Sequence, residues 1–142
     1  MSQSAANISR RLLDANLVKT KALPAAAAAN FSTSIDLGQT TLGPAADAIE
    51  VEISIPATPA LVDDKTITLT LKDSADDSTF TAIPSIATLV QTGASSAGAA
   101  AASRRFKLPP SCRRYIRLDA AVLTAGGDNT GVSYTLKVIA LQ

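Results

Sequence analysis

Histidine and tryptophan are absent from this 142-residue chain, and it has one cysteine, one methionine, two tyrosines and three phenylalanines. Each scarcity closes a door. Without histidine no Ser-His or Cys-His nucleophile can be built, and zinc sites with imidazole ligands are excluded. One cysteine rules out a thiolate cage and any internal disulfide. The favoured reading of Cys112 is a buried free thiol, with an intermolecular bridge as the alternative. Arg113 and Arg114 beside it are expected to lower its pKa. Without tryptophan, and with few other aromatics, a sugar-binding platform is disfavoured. No apolar run approaches the ~20 residues of a membrane-spanning helix. The start, Met-Ser-Gln-Ser-Ala-Ala-Asn, lacks the apolar stretch of a leader peptide. The expectation is therefore a soluble chain that was not exported by a cleaved signal.

What remains is small and aliphatic. Hydrophobic residues make up 46 % of the chain and aromatics 4 %, with alanine supplying much of the difference. The length suits one domain able to bury a core without disulfides, but that core should be thin. Net charge is +1, which gives no bulk electrostatic case for nucleic acid or membrane. The charge is nevertheless segregated. Residues 1–21 carry a net +3, residues 36–77 a net −7 and residues 104–117 a net +6. Such blocks can pair within a fold or match two subunits. Intramolecular pairing or simple solvation is the favoured reading, since most surface charge is only solvated.

The hydrophobic period changes along the chain. In residues 1–30, Ile8, Leu12, Leu13, Leu17 and Val18 form one short helical stripe, capped by Asn7 or Ser9 and stopped by Pro24. Ala25 to Ala29 reads as a low-complexity spacer. Residues 1–30 are thus expected to be an extended N-terminal arm with a short helix at most. From Phe31 the period is two. Alternation runs through Phe31–Leu37, Ile49–Ile55 and Thr66–Lys72, and two short pieces flank Pro84. Asp73 to Ser78 reads as a turn and Gly93 to Ser103 as a flexible loop. A short strand over 105–108 follows, ending at Pro109-Pro110. The last third, Arg114–Leu118 and Val132–Val138 around Ala125–Gly131, reads as a β-hairpin. Seven or eight strands, each with one apolar face, predict an all-β antiparallel sandwich or barrel over residues 31–142.

Sites of chemistry are hard to find. Asp73, Asp76 and Asp77 have oxygen ligands for calcium, but their spacing is not that of an EF-hand, and aspartate is an ordinary turn residue. The Gly126-to-Gly131 run lacks the Lys-Ser/Thr of a phosphate-binding loop. No catalytic residue, metal ligand or cofactor site is assigned. The sharpest surface feature is basic. Alternation puts Arg113, Tyr115 and Arg117 on the face opposite Ile116 and Leu118, and Arg and Tyr are enriched at interfaces. A solvated outer face is the plain alternative.

Several segments resemble a known family. They are Ile8-Ser9-Arg10-Arg11-Leu12-Leu13-Asp14-Ala15, Ile67 to Ser74, Leu108-Pro109-Pro110, Arg114-Tyr115-Ile116-Arg117-Leu118, and the Gly131-to-Leu141 strand. Together they resemble the small cement proteins of tailed-phage capsids, the family represented by the cement protein of a Bordetella podophage. That resemblance implies a jelly-roll sandwich on the outer capsid surface of the virion. It further implies homodimers that clamp neighbouring capsomers of the major capsid protein, without direct nucleic-acid or membrane contact. Candidate contact residues are Arg10, Arg11, Leu12 and Leu13 on the arm, with Arg113, Tyr115 and Arg117 on a face. Rival readings are a tail or head–tail component and a jelly-roll module binding carbohydrate or a receptor. A hydrolase is disfavoured by the missing histidine.

Overall fold

The structure is a computed structural model that describes residues 17–41, 43, 49–84, 86 and 88–140. The expected helical stripe and the arm residues Arg10, Arg11, Leu12 and Leu13 lie outside the described residues. Among the described residues ten strands follow in order: β1 (Val18–Ala22), β2 (Ala29–Phe31), β3 (Ile35–Thr41), β4 (Ile49–Ile55), β5 (Thr66–Ser74), β6 (Thr81–Ala82), β7 (Leu89–Thr92), β8 (Ala102–Lys107), β9 (Arg113–Val122) and β10 (Ser133–Ala140). One sheet has the order β1-β10-β4-β8. In the other, β9 and β5 are central. β2 and β3 lie end to end along β9, and β6 and β7 lie end to end along β5. Counting each end-to-end pair as one position gives two four-position sheets. The chain changes sheet at every step except β5 to β6, which is the winding of an eight-stranded jelly roll.

Alternation explains the core. The inward positions Val51, Ile53 and Ile55 of β4 and Tyr134, Leu136 and Val138 of β10 face Ile67, Leu69 and Leu71 of β5 and Ile116, Leu118 and Ala120 of β9. All are buried, and one aromatic ring, Tyr134, stands among aliphatic side chains. Each large side chain contributes about 1.5–3 kcal/mol on burial. The Tyr134 hydroxyl would be costly if left unpaired. It donates to Asn30 Oδ1 at 2.8 Å, and Asn30 Nδ2 donates to the Ala22 carbonyl at 2.8 Å. A single relay thus ties β10, β2 and the end of β1.

Three expectations about the strands change. First, β9 and β10 are not a hairpin: β9 pairs with β5, β2 and β3, whereas β10 pairs with β1 and β4. The segment between them arches from one sheet to the other. Ten residues are too many for a tight hairpin turn, and this segment is pinned elsewhere. Val62 N donates to Gly126 O at 3.2 Å. Gly127 sits at φ +88°, where a Cβ would lie 2.4 Å from Ala60 O. Alternation and turn residues mark two strands but cannot tell a hairpin from an arch.

Second, residues 18–31 supply β1 and β2 to the sandwich, so its boundary lies N-terminal to Phe31. Val18 is in a strand rather than a helix. The strand was hidden because Lys19 and Lys21 occupy the core-facing positions of β1, opposite Leu136 and Tyr134. An edge strand can carry charge there, and doing so discourages edge-to-edge pairing. Third, β5 runs through Asp73 and Ser74, so the turn begins at residue 75.

The loops at the β9–β10 end are held by a buried polar group. Gln91 Nε2 donates to the carbonyls of Pro56 (3.0 Å) and Ala100 (2.8 Å), and its Oε1 accepts from Thr58 Oγ1 at 2.9 Å. The segment Gly93 to Ser103, expected to be a flexible loop, is bound there through the backbone of Thr58 and Ala99, and its last two residues open β8.

Candidate interaction surface

The charge blocks of the sequence meet inside the fold. Arg105 of β8 pairs with Glu50 of β4, Arg114 of β9 with Asp36 of β3, and Arg113 of β9 with Asp73 of β5. Each joins the basic block 104–117 to the acidic block 36–77. The Arg113–Asp73 pair is the most embedded. Asp73 is nearly buried and accepts from Arg113 N (3.0 Å), Nε (3.2 Å) and Nη2 (2.7 Å). Nη2 also reaches the Asp73 carbonyl and Thr81 Oγ1. Asp73 is therefore a buttress for the start of β9 rather than a turn residue. Among the described residues no cluster of three metal-ligating side chains occurs.

Cys112 abuts this pair and is fully buried. Burial first, and then the Asp73 charge, pushes its thiol up to about 12, outweighing Arg113. The expected lowering by the neighbouring arginines is thereby reversed. A thiol that far above neutrality carries almost no thiolate. Native protein should resist a thiol reagent such as dithionitrobenzoate at pH 8 and react with one equivalent after denaturation. Rapid labelling of the folded chain would contradict this placement.

The outer face of the β9–β5 sheet holds the other two face residues of the sequence reading. Tyr115 is half-buried, with the Arg114 guanidinium 5.3 Å from its ring centroid. Arg117 is more elaborately held. Its guanidinium lies 3.8 Å from the Phe31 ring centroid and 4.2 Å from that of Phe80, between two of the three phenylalanines. Nε and Nη2 donate to Asp119 at 2.8 and 3.3 Å, and Lys72 Nζ reaches Asp119 Oδ2 at 3.0 Å. Cation–π contacts of this kind contribute about 0.5–2 kcal/mol each. Phe31 is still 52 % exposed, so part of the ring faces solvent in a fixed orientation. The Arg113 guanidinium, by contrast, is taken up by Asp73 and Thr81. Phe31, Phe80, Lys72 and Asp119 were not singled out by sequence. Phe31 stood at the start of an alternating run, but alternation alone could not say which parity faced outward.

Acid groups elsewhere are stabilised as anions. Three donors, from Thr79 N, Ser74 Oγ and Ser78 N, hold Asp76 down at about 2. The Arg114 guanidinium lowers Asp36, and the Thr130 hydroxyl lowers Asp128. Because these folded values lie below the unfolded ones, the unfolded chain binds more protons in the window between them. Their stabilisation is complete above about pH 4 and is lost as pH falls through the folded values. No histidine titrates nearer neutrality. Denaturation midpoints should thus be flat from about pH 5 to 8 and decline below about pH 4. A step near pH 6.5 would contradict this.

A family model, Bbp16, matches residues 17–135. The chain belongs to the Bbp16 family. Among curated proteins no significant sequence relative is found. The PBSX exported protein XepA is similar in structure, with a TM-score of 0.56 at 17 % identity over 87 % of this chain. That likeness is one of fold, and the chain spans 36 % of XepA. Weaker similarity exists to the disulfide-linked pili of Bacillus endospore appendages (TM-score 0.40, 16 % identity, 88 % of this chain and 86 % of that one). A chitosan-binding module from Paenibacillus sp. IK-5 is comparable (TM-score 0.39, 13 % identity, 85 % and 76 %). Neither carries weight at those scores. Family membership supports a bacteriophage structural protein with a β-sandwich fold.

Proposed function

We propose that this protein is a capsid cement protein: it binds the outer surface of the phage head as a homodimer and clamps neighbouring capsomers. Packaged DNA pushes the shell outward. A clamp across a seam adds contact area where the shell would open, and many weak contacts on a repeating lattice raise occupancy together. The observation that supports this reading most is the outer face of the β9–β5 sheet, where Arg117 fixes a half-exposed Phe31. An aromatic and arginine surface ordered in advance loses little entropy on docking. Arg10, Arg11, Leu12 and Leu13 are proposed as arm contacts, and Tyr115 and Arg117 as face contacts, with Arg113 holding the edge of that face.

A release assay tests the proposal. DNA-filled heads lacking this protein should lose their DNA at a lower temperature than decorated heads, and added protein should restore the higher release temperature. Equal release temperatures with and without bound protein would contradict a clamping role.

A further inference from the structure

The sandwich leaves few ways to meet a partner. Both edges of the β1-β10-β4-β8 sheet carry cations at core-facing positions: Lys19 and Lys21 on β1, and Arg104 on β8, opposite Ile53. Such charges disfavour strand addition. The outer face of that sheet is mixed: Arg105 pairs with Glu50, Glu52, Lys107 and Lys137 make no ion pair within 4.0 Å among the described residues, and none of the exposed large hydrophobic residues Phe31, Val62, Val90 and Leu123 lies on it. The opposite sheet differs. A shallow groove of about 370 Å³ runs along its β2 side, lined by Phe31, Ser32, Asp77, Phe80 and Arg117 together with Lys21 from β1 of the first sheet.

Its charges are unequally engaged. Arg117 is bonded to Asp119, and Lys72 lies on that same carboxylate. Lys21 and Asp77 also line the groove; both are exposed, and neither has an oppositely charged partner within 4.0 Å among the described residues. Lys21, Lys72 and Arg117 against Asp77 and Asp119 leave one positive charge beside an exposed phenyl ring. We infer that this groove is the capsid-docking site and seats an acidic side chain of the major capsid protein flanked by an apolar one. Lys21 receives the carboxylate, and Phe31, braced by Arg117, receives the apolar neighbour. This inference rests on the cement reading and adds to it the chemistry of the partner.

The test is co-sedimentation with capsids assembled without this protein, at two salt concentrations. Lys21→Glu and Phe31→Ser should each weaken binding about tenfold or more, and Lys21→Glu should also flatten the salt dependence. Arg105→Glu, on the opposite sheet, should bind as wild type. Lys21→Gln serves as the second variant should charge reversal alter folding, with melting curves as the check. Wild-type binding that survives both groove substitutions would overturn the docking site and leave the cement reading intact. Conversion of a dimer to a monomer by the groove variants, read by sedimentation velocity, would assign the groove to self-association and overturn the inference. Absence of binding by wild type itself would overturn the cement reading and the docking site with it.

Discussion

Replacing Arg113 by methionine is expected to lower stability by about 3 kcal/mol, a fall of roughly 10 °C in melting temperature for a domain of this size. The expectation follows from asymmetry. With Arg113 in place, the Asp73 carboxylate accepts three hydrogen bonds from that one residue, two of them from its guanidinium. Removal of the side chain leaves a nearly buried charge with a single backbone donor, and an unpaired buried charge costs more than the pair contributed. Arg113→Lys should fall between the two, because an ammonium keeps the charge and loses the planar fork. Adding Asp73→Asn to Arg113→Met should recover part of the loss, since the stranded charge is then gone. Urea titration of the four proteins measures this. A change under about 0.5 kcal/mol for Arg113→Met, the size of an ordinary surface substitution, would show that the pair is only a surface bridge.

The second large effect is a truncation. Removing residues 1–16 leaves every described strand in place, and the shortened chain should unfold cooperatively like the full one. Removing residues 1–31 should abolish cooperative unfolding. That cut takes β1 from the exposed edge of β10, takes β2 from β9, removes buried Leu23 and strips the Tyr134 hydroxyl of Asn30. Two strands of ladder hydrogen bonds and their burial go together, against a total stability of about 5–15 kcal/mol. Far-ultraviolet dichroism and melting distinguish the outcomes. A cooperative transition in the shorter chain would mean that β1 and β2 are dispensable. Under the cement reading, the first truncation should also weaken decoration, because it removes Arg10, Arg11, Leu12 and Leu13.

Where sequence was informative, the reason is one-sided burial. β4, β5, β9 and β10 each pack one face on the core, so Ile53, Leu69, Ile116 and Leu136 announce themselves by period two. Edge strands have no such obligation. β1 carries lysines at two inward positions, and β6 is two residues long, so neither leaves a clear pattern. Pairing partners were less legible still. The arch between β9 and β10 depends on contacts with residues 60–62, some sixty residues away in sequence, which no local pattern encodes. The surface shows the same division. Alternation put Tyr115 and Arg117 on one outer face, but Phe31 and Phe80 reach Arg117 only through tertiary packing. Charge segregation was visible from composition alone, and its resolution into Arg113–Asp73, Arg114–Asp36 and Arg105–Glu50 needed the sheet registers.

Electron cryomicroscopy of intact particles is the most direct test of the central claim. A cement role requires jelly-roll density in many copies on the outside of the head, across the seams between capsomers, with the β9–β5 face and Phe31 turned toward the shell. Density confined to the tail or the head–tail junction, or particles without this chain, would contradict it.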